Sequence, residues 1–94
     1  MVDDIRLKKI KFRSWRRGFK EADLILGPFA DAHAAALSPD QLDRLETLLD
    51  QPDQDLYAWI IGLQPIPSQF DTDVMDLIRG FRFSAHSARP DLGG

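Results

Sequence analysis

The sequence predicts an all-α protein, a compact bundle of about five helical segments. Three observations predict it. Apolar residues recur at i, i+3, i+4 and i+7 in three separate stretches, and at i, i+3, i+6 and i+7 in a fourth, the spacing of one buried helix face. Ser38-Pro39-Asp40-Gln41 is a strong helix-start signal. Gly18, Pro52 and the run from Gly62 to Pro67 punctuate the chain between the apolar stretches. The short connections favour antiparallel neighbours.

The first helix is expected from Asp3 to about Trp15. Asp3 or Asp4 caps it and suits its positive end. Val2, Ile5, Leu7, Ile10, Phe12 and Trp15 do not share one clean stripe, so it reads as short, basic and imperfectly amphipathic. A second helix begins near Phe19 or Lys20. Ala22, Ile25, Leu26 and Phe29 make its apolar face. Proline lacks an amide donor and crowds the preceding turn, so a kink or restart is expected at Gly27-Pro28. The alanine-rich run to Leu37 then continues it, with high helix propensity. His33 stands there without a second metal ligand, so it reads as a surface or core residue.

In the third helix Ser38 caps, Pro39 takes the first position and Gln41 closes a capping box. Leu42, Leu45, Leu48 and Leu49 form its buried face. Pro52 ends it, and a fourth helix starts between Pro52 and Asp55. Leu56, Trp59, Ile60 and Leu63 repeat there at helical spacing, which makes Trp59 a core anchor. Asp53 and Asp55 read as helix-start carboxylates and not as a catalytic pair. A Gly- and Pro-rich loop, 62–68, precedes a last helix from about Asp71, with Val74, Leu77, Ile78 and Phe81 on one face. Residues 84–94 read as a flexible tail on a single domain, 1–83.

With 94 residues the chain forms one domain. A chain of this size buries about 60–65% of its unfolded surface, enough for one modest core. There is no cysteine, hence no disulfide framework and no thiolate metal site. No apolar run approaches the ~20 residues of a membrane span. Asp3 and Asp4 and the lack of an apolar core segment argue against a signal peptide. A cytoplasmic location is the expectation. Charge is segregated: residues 1–20 carry a net of +6 and residues 21–94 a net of −9, giving −3 overall. The acidic balance argues against general nucleic-acid binding, while a local basic face remains open.

The charge changes sign at Arg16-Arg17-Gly18-Phe19-Lys20-Glu21-Ala22-Asp23. A guanidinium grips carboxylate or phosphate through two hydrogen bonds. Gly18 permits a positive φ or close approach of another surface. The structural reading is a turn between two helices, with Glu21 and Asp23 favouring the start of the second. The functional reading is a partner-binding surface made of Arg16, Arg17, Gly18, Phe19, Glu21 and Asp23. Its charge density predicts an exposed motif outside the core, since burying Arg17 and Glu21 demands near-complete pairing.

Arg17-Gly18-Phe19-Lys20-Glu21 resembles the R-G-x-x-E signature of the succinate dehydrogenase assembly factors, the small SdhE-like flavinylation factors. Gly27-Pro28-Phe29 and Asp55-Leu56-Tyr57-Ala58-Trp59-Ile60 are similar to further segments of that family. The likeness runs from about Arg13 to Ile61. Phe19 stands where the family commonly has methionine, and either residue can serve an apolar pocket. The resemblance implies a non-enzymatic assembly factor. Its partner would be the flavoprotein subunit of succinate dehydrogenase and, in bacteria, of fumarate reductase. It would promote covalent attachment of FAD to that subunit, holding no cofactor stably itself and being monomeric when free.

Two other classes stand beside it. An enzyme is disfavoured because no nucleophile–base pair, P-loop, dinucleotide fingerprint or zinc spacing occurs. A small helical interaction or regulatory module is the alternative, such as a toxin–antitoxin partner. In it Lys8, Lys9, Lys11 and Arg13 would bind nucleic acid or an anionic membrane surface.

Overall fold

A computed structural model describes residues 4–87, with side chains placed as far as residue 82. Five α-helices make the fold: α1 (Asp4–Trp15), α2 (Lys20–His33), α3 (Pro39–Leu49), α4 (Asp53–Ile60) and α5 (Asp73–Ser87). Short 3-10 turns lie at Ala34–Ala36 and Ser68–Phe70, and the described residues include no strand. α1 packs along α2 and touches α3, while α5 lies against α2, α3 and α4. The all-α expectation holds.

The apolar stripes converge as their spacing dictates. Leu26 and Phe29 of α2, Leu42 and Leu45 of α3, Leu56 and Ile60 of α4, and Val74, Met75 and Ile78 of α5 are all buried in one core. From α1, Ile10 is fully buried and Leu7 packs against the core. Ser14 is buried beside them and donates its hydroxyl to Ile10 O at 2.8 Å, so no polar group is orphaned there.

Start signals are borne out most fully at α3. Ser38 Oγ accepts from Gln41 N–H at 3.2 Å, Gln41 Oε1 accepts from Ser38 N–H at 3.0 Å, and Pro39 opens the helix. At α5, Thr72 Oγ1 accepts from Met75 N–H at 3.4 Å.

Four details depart from the periodicity. α2 does not restart at Pro28 but runs through it to His33, where a 3-10 turn takes over. An interior proline costs about 3 kcal/mol. Burying Leu26 and Phe29 contributes about 1.5–3 kcal/mol each, which outweighs it. Leu63 is 74% exposed and outside the α4 stripe, because the helix stops first. There Gly62 takes φ +80°. Gly62 N–H bonds Trp59 O and Leu63 N–H bonds Ala58 O, a Schellman closure that turns Leu63 outward.

In α5, Leu77 is 42% exposed and Met75 is buried in its stead. The buried stripe is centred on Val74, Met75 and Ile78, which leaves position 77 at its edge. Phe70, in the second 3-10 turn, is a core residue that periodicity missed, and its ring stacks on Trp59 at 5.0 Å. Trp59 itself is 7% exposed, in keeping with its reading as an anchor. α5 runs past Phe83 to Ser87, into the stretch expected as a tail. The rest of that tail, 88–94, lies outside the described residues.

Candidate functional site

The Arg16–Asp23 stretch forms the turn from α1 into α2. Gly18 has φ +87°, a conformation that L side chains avoid, and it is the residue on which the turn depends. A Cβ built there would meet no atom within 4 Å, so the position faces open space. Phe19 precedes α2 with extended backbone, and its half-buried ring lies 5.2 Å from Tyr57 on α4. Asp23 Oδ1 accepts from Arg17 N–H at 3.0 Å and closes the turn on itself.

Arg17 is where structure and expectation part. Its side chain is 7% exposed and crosses from the turn to the junction of α3 and α4. Nη1 donates to Leu49 O at 2.7 Å and Nη2 donates to Gln51 O at 2.6 Å. These carbonyls lie at and just beyond the end of α3, where no intrahelical donor remains. Nε is buried and lies 2.7 Å from Asp53 Oδ1, off the axis of its N–H bond, an ion pair without an aligned hydrogen bond. Arg17 is therefore built into the fold. The pairing that burial demands comes from main-chain carbonyls of another helix and from Asp53. Charge density in the sequence showed none of this, because those partners lie 32 to 36 residues away.

The other motif residues divide by exposure. Arg16, Gly18 and Glu21 are exposed, while Phe19 and Asp23 are half-buried. The guanidinium of Arg16 sits over the Phe12 ring at 5.3 Å. Phe12, Arg13, Arg16, Arg17, Leu49 and Asp53 line an open cleft of about 250 Å³. The turn thus offers a partner two opposite charges and a bare glycine, on a base held by Arg17, Phe19 and Asp23.

Two supporting contacts escaped the sequence reading. Gly27-Pro28 predicts a kink or restart, yet Gly27 lies mid-helix under the Trp15 indole. A Cβ at residue 27 would stand 2.3 Å from Trp15 Cδ2. Trp15 Nε1 donates to Asp31 Oδ2 at 3.0 Å and fixes the ring across α2. The basic helix α1 is also partly neutralised from within. Arg6 pairs with Asp43 and, at 2.7 Å, with Glu46, while Arg13 pairs with Asp50. The hydrogen bonds that Arg6 donates to Glu46, first, and to Asp43 raise its pKa above its ordinary value. Lys8, Lys9 and Lys11 remain on α1 without a carboxylate partner among the described residues.

The remaining candidate residues lie apart from this turn. Among the described residues, no group of three or more His, Asp or Glu could hold a metal ion. His33 is exposed, with its ring 5.2 Å from Phe29 and 5.5 Å from Phe81. Asp53, read as a helix-start acid, begins α4 and also pairs with Arg17. No described helix is long and apolar enough to cross a membrane.

A succinate dehydrogenase assembly factor 2, mitochondrial, from Dictyostelium discoideum is 39% identical over 72 residues, covering 77% of this chain and 51% of that protein. An FAD assembly factor SdhE from Acetobacter pasteurianus is 33% identical over 70 residues, 74% of this chain and 64% of that one. A succinate dehydrogenase assembly factor 2, mitochondrial, from Danio rerio is 32% identical over 80 residues, 83% of this chain and 51% of that protein. The chain thus spans between about half and two-thirds of the length of these relatives. The family model described as flavinator of succinate dehydrogenase matches residues 8–82, from the first helix through most of the last. With the turn, its buried arginine, the whole of α2, α3 and α4 and most of α1 and α5 inside that match, the chain belongs to the succinate dehydrogenase flavinator family.

Proposed function

We propose that this protein binds the flavoprotein subunit of succinate dehydrogenase and promotes covalent attachment of FAD to it. The observation that carries the reading is the family match over residues 8–82, which contains the whole Arg16–Asp23 turn. Arg16, Gly18 and Glu21 are the exposed residues of that turn. In this reading they are the contact, and Arg17, Phe19 and Asp23 hold them in place. FAD belongs to the partner, and this chain supplies no catalytic residue. It acts by binding the immature subunit more tightly in its reactive conformation than in any other, which shifts the population toward that state. In a bacterium the flavoprotein of fumarate reductase is a second target of the same kind. The free protein is a monomer that works in the cytoplasm. Size-exclusion chromatography and cell fractionation test those two points, the latter against the mitochondrial location named for several relatives.

The main test measures covalent flavin on the flavoprotein subunit after denaturing electrophoresis. Wild-type factor is compared with Arg16→Ala and Glu21→Ala. Both variants are expected to melt like wild type and to lose flavinylation. Affinity for the subunit should fall by about 2–5 kcal/mol where the charge is buried and paired in the complex. Normal melting with full flavinylation would reduce the motif to a turn and remove the main support for this function.

A further inference from the structure

The outward face of α1 carries apolar surface that the bundle does not cover. Phe12 is 63% exposed and Trp15 39% exposed. With Lys8, Lys11 and Arg16 they line a shallow groove of about 550 Å³. The opposite side of the same helix is spent inside the molecule: Ile10 and Ser14 are buried, Arg6 is paired to α3 and Arg13 to Asp50 at the C-terminal cap of α3. On the outward side, neither Lys8, Lys11 nor Arg16 has a carboxylate partner among the described residues. Trp15 is held in place there by its bond to Asp31 and its seat on Gly27. The groove wall is therefore formed before any partner arrives.

We infer that this groove is a second contact surface for the flavoprotein partner, and that it takes an acidic segment bearing an apolar side chain. The inference rests on the function proposed above. The apolar side chain lies between Phe12 and Trp15, and carboxylates meet Lys8, Lys11 and Arg16. Charge complementarity selects the acidic segment, because Asp4 is the only acid that α1 contains. Continuity selects the same partner: Arg16 belongs at once to the groove and to the exposed turn. A long polyanion such as RNA, or an anionic lipid sheet, fits less well. Either would extend past α1 and the turn after it onto residues 21–94, whose net charge is −9.

The test titrates the full chain against the apo flavoprotein subunit of succinate dehydrogenase. Phe12→Ala and the double variant Lys8→Glu/Lys11→Glu are compared with Glu21→Ala in the turn. Lys8→Gln/Lys11→Gln and a thermal melt of each variant control for folding. Phe12→Ala should raise Kd by about tenfold or more, as for an anchor at the centre of a contact. The lysine reversals should slow association and flatten its salt dependence, with the glutamine pair intermediate. If folded Phe12 and lysine variants bind like wild type while Glu21→Ala does not, the groove is no contact and the turn stands alone. If wild type itself fails to bind the subunit, the function proposed above falls, and this inference with it. Loss of binding only to phosphatidylserine vesicles or to RNA, with flavoprotein affinity unchanged, would overturn it in favour of a polyanion.

Discussion

At the scale of the residue, the motif separates into parts that build the turn and parts that present it. Arg17 carries its charge into a place 7% exposed because three oxygens wait for it there: two carbonyls and the carboxylate of Asp53. Truncating it orphans the carbonyls at the end of α3 and cuts the tie between the turn and α4. Arg17→Ala should therefore destabilise the fold by about 2–3 kcal/mol, counting the charged hydrogen bonds and discounting the partly exposed Asp53 pair. Equilibrium urea unfolding checks it, and an unchanged midpoint would return Arg17 to the contact surface. Gly27 makes a second residue-scale case. A methyl group there enters the indole of Trp15, which must swing out and abandon Asp31. Gly27→Ala should cost about 1–3 kcal/mol, as overpacking does. Restoring wild-type stability in Gly27→Ala by adding Trp15→Leu would confirm that the clash is the cause.

At the scale of the element, capping and charge placement join helices that share little sequence. Asp73 opens α5 and reaches back to α3, accepting from Gln41 Nε2 at 3.0 Å and pairing with Arg44. The Gln41 hydrogen bond is the chief reason that its pKa lies below the ordinary 3.8, with Arg44 and the Val74 N–H adding to it. A carboxylate with a lowered folded pKa stabilises the fold above its unfolded pKa, and the gain is lost as pH falls through the folded value. Wild type should thus exceed Asp73→Asn in stability at neutral pH. The difference should shrink below about pH 4 and vanish in stronger acid. A pH series of melts reads this directly, and a difference that persists in strong acid would show that the tie is not electrostatic.

At the scale of the whole molecule, a 94-residue chain has one core and little reserve. Trp59 and the ring of Phe70 stacked on it belong to that core where α4 meets the 68–70 turn. Trp59→Ala should cost about 3–5 kcal/mol, a large share of the stability of such a domain. Loss of cooperative unfolding by circular dichroism is the expected sign. An unchanged melting temperature would place Trp59 among the partner-binding residues. The same scale explains the charge segregation. Part of the basic first helix is absorbed by Asp43 and Glu46 of α3 and by Asp50 at its C-terminal cap, which fastens α1 to the bundle. What remains positive faces outward.

Local chemistry was enough to read the class of the fold, the capping box of α3, the core stripes of α2 and α3 and the burial of Trp59, because helix periodicity and caps act within a few residues along the chain. The R-G-x-x-E resemblance was legible for the same reason: its residues are contiguous. The sequence alone did not reveal that Arg17 is a clamp, that Asp53 is its partner, that Gly27 makes room for Trp15, or that Leu63 and Leu77 stand outside while Met75 and Phe70 turn in. Each of these depends on which helix lies opposite. The Arg17 contacts join residues 32 to 36 positions apart, and the burial of an α5 side chain depends on three helices at once. Spacing along one chain segment identifies a face; only packing decides how wide that face is and which charges it encloses.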